Sequence, residues 1–113
     1  PAVVGVKVLA GKITPKTRIV NQDGAFVGRL HQIQENNQTI KEAEKGKEVA
    51  LSIKNATVGR NLKIEDTFYI YVPESHVRTY NGRFRDELSE EQIELMREYI
   101  RCMRKKNSPY WGL

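Results

Sequence analysis

One cysteine, two histidines, four prolines and one tryptophan are all that 113 residues contain of those types. A lone cysteine, Cys102, excludes an internal disulfide framework. It falls on the apolar side of a C-terminal helical pattern, so a buried structural thiol is expected. His31 and His76 lie far apart in sequence and belong to no metal-spaced cluster, so both read as solvated side chains. No Ser/His/Asp or Cys/His arrangement has a recognisable context. Glu65-Asp66 and Asp86-Glu87 are acidic pairs beside turns, which are ordinarily solvated rather than acid–base machinery. Gly11-Lys12 fails as a phosphate loop, because that pattern needs Gly at position 6 and Ser or Thr at 13, where the chain has Val6 and Ile13. No enzyme is expected from these residues, no metal site, and no cofactor of the chain's own.

Charge of one sign is also missing as a block. The net charge is +5, but residues 1–75 carry 11 basic and 8 acidic groups and residues 76–113 carry 8 and 6. Such mild basicity is compatible with RNA, with an acidic peptide, or with no specific partner. No signal peptide and no apolar run of membrane-spanning length is present, so a cytoplasmic location is expected. The chain begins Pro1-Ala2-Val3 without an initiator methionine, and we expect a piece of something larger.

What is there begins with a period of two. Val4, Val6 and Val8 alternate with Gly5, Lys7 and Leu9. Val49, Leu51 and Ile53 repeat the pattern, as do Phe68, Ile70 and Val72. Such runs, bounded by turn residues, predict short strands. Asp23-Gly24 predicts a hairpin between Thr17–Gln22 and Ala25–Gln34, because its turn needs positive φ. Gly5 and Gly28 inside strands mark possible bends. The expected fold class is mainly β: a small antiparallel β-barrel over residues 1–73, followed by two C-terminal α-helices over 74–113 that pack on it. Tyr69 and Tyr71, with Arg18, Arg29 and Arg60, could stack and hold single-stranded bases; outward tyrosines are also ordinary strand residues.

After Pro73 the period lengthens. Val77, Tyr80, Phe84 and Leu88 share one helical face, with Ser75 as a possible cap. Ser89-Glu90-Glu91-Gln92 is a capping box that opens a helix running to Lys106. On a helical wheel Ile93, Met96, Ile100 and Met103 form one apolar stripe, and Leu95, Tyr99 and Cys102 a second. Together they cover roughly half the circumference, against the ~100° a surface helix needs. Either both stripes are core, or part of the face stays open with Tyr110 and Trp111 as a groove for a partner segment.

Several motifs recur together: Val4-Gly5-Val6-Lys7-Val8, Gly11-Lys12-Ile13-Thr14-Pro15, Gly28-Arg29-Leu30, Ile40-Lys41-Glu42-Ala43, Gly46-Lys47-Glu48-Val49-Ala50-Leu51, Gly59-Arg60 and Glu65-Asp66-Thr67-Phe68-Tyr69. They look like the barrel shared by domains of translational GTPases. With Pro73-Glu74-Ser75-His76, the two helices and the Tyr110-Trp111-Gly112-Leu113 end, the whole chain resembles domain IV of the translation initiation factor 5B family, in its archaeal form. Bacterial initiation factor 2 is a relative of that family. The resemblance implies a monomeric, non-catalytic domain whose parent holds GTP and magnesium elsewhere. It implies binding to the acceptor end of initiator methionyl-tRNA on the ribosome, with Val6, Lys41 and Glu48 in the motifs nearest the family's aminoacyl pocket. It also implies binding of the C-terminal segment of initiation factor 1A by the helices. An acidic and apolar segment would set its apolar groups along Ile93, Met96, Ile100, Met103 and Trp111, with its carboxylates toward Arg97, Arg101, Arg104 and Lys105. The alternative is a general RNA- or ribosome-binding barrel of another translation factor.

Overall fold

A ten-residue strand, β4 (Phe26–Glu35), is the spine of the molecule. The computed structural model describes residues 2–56 and 67–113. Arg60, Glu65 and Asp66, singled out above, lie outside the described residues. Before β4 come β1 (Ala2–Lys7), β2 (Lys12–Ile13) and β3 (Arg18–Asn21); after it come β5 (Gln38–Ile40), β6 (Ala43–Glu44), β7 (Glu48–Lys54) and β8 (Phe68–Ile70). One antiparallel sheet runs β1-β7-β4-β3-β8, with β5 on the C-terminal half of β4, and β2 pairs β6 separately. The asparagines at 36 and 37 turn β4 into β5 with φ of 51° and 65°, as a two-residue hairpin needs.

The sheet curls like a barrel but does not close among the described residues, since its edge strands β1 and β8 do not pair. The expected mainly antiparallel, barrel-like fold with two C-terminal helices is what the structure has, with the sheet open among the described residues. β8 is three residues long and has a second duty. Its Phe68 and Ile70 face the interior of the sheet, while Tyr69 faces the helices. Irregular pairing supplies the curl. The register of β4 against β7 jumps between Leu30 and Gln32, passing over His31. That extra residue lets Leu30 and Ile33, three apart, both point inward, where period-two geometry would part them. At Gly28 a Cβ would collide with the Lys54 carbonyl oxygen, so only glycine permits this approach of β4 to β7. Gly5 meets nothing within 4 Å and marks no such bend.

Two apolar clusters result. The first lies inside the curl and contains Ile19, Val27, Leu30, Ile33, Leu51 and Ile53. The second is a seam between sheet and helices and contains Val20, Val77, Tyr99, Ile100, Met103 and Trp111. Ile19 and Val20 are adjacent on β3 and supply one cluster each, because neighbouring strand residues point to opposite faces.

The helices are α1 (Glu74–Asn81) and α2 (Glu90–Lys106), with a 3-10 turn at Arg85–Glu87 between them. α1 is capped by Pro73 without a side-chain bond, not by Ser75, which lies inside the helix. It ends at Gly82 rather than running on to Leu88, so Tyr80 and Phe84 face each other across a bend, 6.4 Å apart. α2 opens with the predicted box: the Gln92 amide donates to Ser89 Oγ at 3.1 Å, and the Ser89 amide donates to Gln92 Oε1 at 2.9 Å.

Candidate functional site

The apolar face of α2 is divided along its length, not between its two stripes. Tyr99, Ile100, Cys102 and Met103 in the C-terminal half are buried, while Ile93, Leu95 and Met96 in the N-terminal half are half-exposed. Three attachments seat the C-terminal half. The β3–β4 turn presses on the helix backbone, and a Cβ on Gly24 (φ 80°) would strike the Cys102 carbonyl oxygen and lie 3.2 Å from Met103 Cα. Lys105 Nζ donates to the Gln22 carbonyl at 3.2 Å and lies 3.6 Å from an Asp23 carboxylate oxygen. The Tyr99 hydroxyl donates to Val72 O at 2.8 Å and accepts from Val72 N–H at 2.7 Å. One hydroxyl thus satisfies both backbone groups where the last strand leaves the sheet. Burial pushes the Tyr99 phenol up to about 12. Tyr69 is also pushed up to about 12, first by burial and then by its hydrogen bond with Cys102.

The C-terminal residues fold back into the seam. Trp111 is 8% exposed and packs edge-on against Tyr99, with ring centres 5.8 Å apart. Arg104 Nε donates to Trp111 O at 3.0 Å, and the Gly112 amide donates to a Glu74 carboxylate oxygen at 2.8 Å. Glu74 pairs with Arg78, whose Nε donates to Leu113 O at 2.7 Å. Charged side chains from both helices therefore hold successive backbone groups of the tail.

This corrects part of the expected peptide seat. Ile100, Met103 and Trp111 are inside the seam and Arg104 is committed to the tail, because the seam's own packing uses the C-terminal half of the helix. Cys102 is free and buried, as its apolar position predicted. What remains partly open is Ile93, and Met96 at the edge of the seam it packs against, with exposed Arg97 and Arg101. Arg97 shares its charge with Glu94 at 3.9 Å.

A second concave feature lies on the sheet, where β1 and β7 meet the β4–β5 turn. It is a groove of ≈ 510 Å³ whose lining includes Val6, Lys7, Asn36, Asn37 and Glu48. Lys7 and Glu48 stand directly opposite in register. Val6 and Glu48 thus share one groove, whereas Lys41 is exposed beyond β5 and is not part of its lining. Asn36 and Asn37, the two residues of the β4–β5 turn, also line the groove.

Among the described residues no group of three or more His, Cys, Asp or Glu is placed to hold a metal ion. Lys12, the residue of the failed phosphate loop, lies 3.5 Å from Glu42 in an exposed pair. No described helix is long and apolar enough to cross a membrane.

A family model described as elongation factor Tu domain 4 matches residues 1–69. A probable translation initiation factor IF-2 of Methanocorpusculum labreanum is 42% identical over 112 residues, covering 99% of this chain and 19% of the relative. That of Methanopyrus kandleri is 41% identical over 113 residues, covering 100% and 19%. The crystal structure of GDP-bound aIF5B from Aeropyrum pernix superposes with a TM-score of 0.81 at 32% identity, covering 94% of this chain and 18% of that one. The chain therefore spans about a fifth of the length of the curated relatives it matches.

Proposed function

Given that the chain belongs to the elongation factor Tu domain 4 family, in the form found in archaeal IF-2/aIF5B-type translation initiation factors, we propose that it is a docking module with two binding duties. It is not a catalytic domain, and the GTPase domain is absent from the chain. GTP and magnesium are assigned to the rest of a parent factor. The sheet takes the acceptor end of initiator methionyl-tRNA, and the helices take the C-terminal segment of initiation factor 1A during ribosomal subunit joining.

The observation that supports this reading best is the half-open face of α2. Ile93 and Met96 stay partly exposed beside Arg97 and Arg101, although the C-terminal half of the same face is sealed. An acidic segment with a few apolar side chains suits that edge: methionine adapts its shape, and the arginines meet the carboxylates. Val6 and Glu48, joined by Asn36 and Asn37 in the groove, are the candidates for the tRNA end.

Titration of the labelled domain with the 1A tail peptide, followed by heteronuclear NMR, tests the first duty. Shifts should concentrate on Ile93, Met96, Arg97 and Arg101 and spare the buried Ile100 and Met103. An absence of shifts in α2 at saturating peptide would remove the docking reading. Glu48→Gln should weaken an initiator acceptor-stem minihelix, and unchanged affinity would exclude the groove.

A further inference from the structure

The basic groups on and around the sheet are not all alike. Lys12, Lys45, Lys47 and Lys105 each lie within ion-pair distance of a carboxylate. Arg18, Arg29 and Lys54 are exposed and, like Lys7, Lys16 and Lys41, pair with no carboxylate among the described residues; what sets the three apart is their placement. They also stand in one line. Arg18 is the register partner of Arg29 across β3–β4, and Arg29 is the register partner of Lys54 across β4–β7. Direct partners in an antiparallel sheet share a face, so three cations sit side by side on the outer surface at the strand spacing of about 4.8 Å. Like charges placed directly opposite are unfavourable. The nearest polar relief is the Lys16 carbonyl, 3.4 Å from Arg29 Nη1. A local rule is broken here with only that long contact to offset it among the described residues, which points to a ligand outside the fold.

We propose that Arg18, Arg29 and Lys54 form a cationic row that takes the phosphodiester backbone of single-stranded RNA. A polynucleotide carries one charge per residue, so successive phosphates can follow successive strands. Phe26 gives the bases a surface to stack on: it is 53% exposed and is the register partner of Val20, on the face that carries Arg18. An acidic peptide fits less well. β3, β4 and β7 are each paired on both sides, so no free backbone edge is available there for an added strand. This surface is separate from the groove at Val6 and Glu48 and from the open edge of α2, and its failure would leave both of those readings untouched.

The test is fluorescence anisotropy of a labelled oligouridylate on the full chain across a salt series. Three phosphate contacts at roughly 0.7 counterions each predict a log–log slope near −2. The variant Arg18→Gln/Arg29→Gln/Lys54→Gln should flatten that slope and weaken binding by roughly tenfold or more at low salt. Its thermal midpoint should equal or exceed that of the parent, since a like-charge row has been relieved. A charge-matched control, Lys12→Gln/Lys45→Gln/Lys106→Gln, should keep the affinity to within a small factor. Equal losses in both variants would mean diffuse attraction and overturn the proposal. So would unchanged binding in the first variant. Binding of polyglutamate through the same three cations, with none of oligouridylate, would assign the row to an acidic protein instead.

Discussion

Tyr99 joins the sheet to the helices through a single oxygen. Its hydroxyl serves both the N–H and the C=O of Val72, so Tyr99→Phe strands two part-buried backbone groups. A loss of about 1–3 kcal/mol is expected in urea unfolding. The loss should depend on pH. The phenol is raised from 10.0 to about 12 in the folded state, so the neutral form is the one the fold favours. Its contribution is complete below pH 10 and fades as pH rises toward 12, because the unfolded chain ionises first. The stability gap between parent and Tyr99→Phe should therefore narrow across that window. A gap that widened there would contradict the burial that raises the phenol. Gly24 is the other decisive position. With φ of 80° and the Cys102 carbonyl in the space a Cβ would fill, Gly24→Ala should cost on the order of 3 kcal/mol. Gly5→Ala, which meets nothing within 4 Å, should cost far less. Comparable midpoints for the two variants in thermal unfolding would show that the turn does not press on α2.

At the scale of elements, α2 shows what a sequence can and cannot disclose. Its start was legible, because Ser89 and Gln92 form a reciprocal bond that depends only on a three-residue spacing. The longer strands were legible from their period-two alternation, as was the hairpin at Asp23-Gly24, whereas the short β2, β5 and β6 were not. The division of the helix face was not. Helical periodicity reports which side of a helix is apolar but not how far along its axis a neighbour reaches. That reach is fixed by the β3–β4 turn meeting Cys102 and by Trp111 folding back, both contacts between distant parts of the chain. The jump over His31 was equally hidden, since a bulge shows only in pairing. Likewise the row of Arg18, Arg29 and Lys54 exists only once three strands are in register. The capping box gives the element its own prediction. Ser89→Ala should lower stability by about 1 kcal/mol, with amide exchange quickening in the open first turns of α2 and not near Tyr99. Uniform quickening along the helix would mean that the N-terminal half is held more tightly than its half-exposed side chains indicate.

At the scale of the molecule, the question is whether sheet and helices are one cooperative unit or two. β3 belongs to both apolar clusters, through Ile19 on one face and Val20 on the other. Undoing the seam therefore exposes a strand of the main sheet, and undoing the sheet removes a wall of the seam. Such shared packing favours a single all-or-none transition. Trp111 is the one tryptophan of the chain and lies in the seam, so its fluorescence reports the helices' attachment alone, while far-ultraviolet circular dichroism reports strands and helices together. The two signals should trace the same urea curve. Val20→Ala, which should cost about 2 kcal/mol, should move both midpoints together, even though it removes atoms only from the helix side of β3. A fluorescence transition that came first, with the dichroism lagging behind, would make the helices a separable appendage. Binding on α2 could then tilt them without any consequence for the sheet. Coincident curves would mean that a partner on α2 and a ligand on the sheet act on one rigid body.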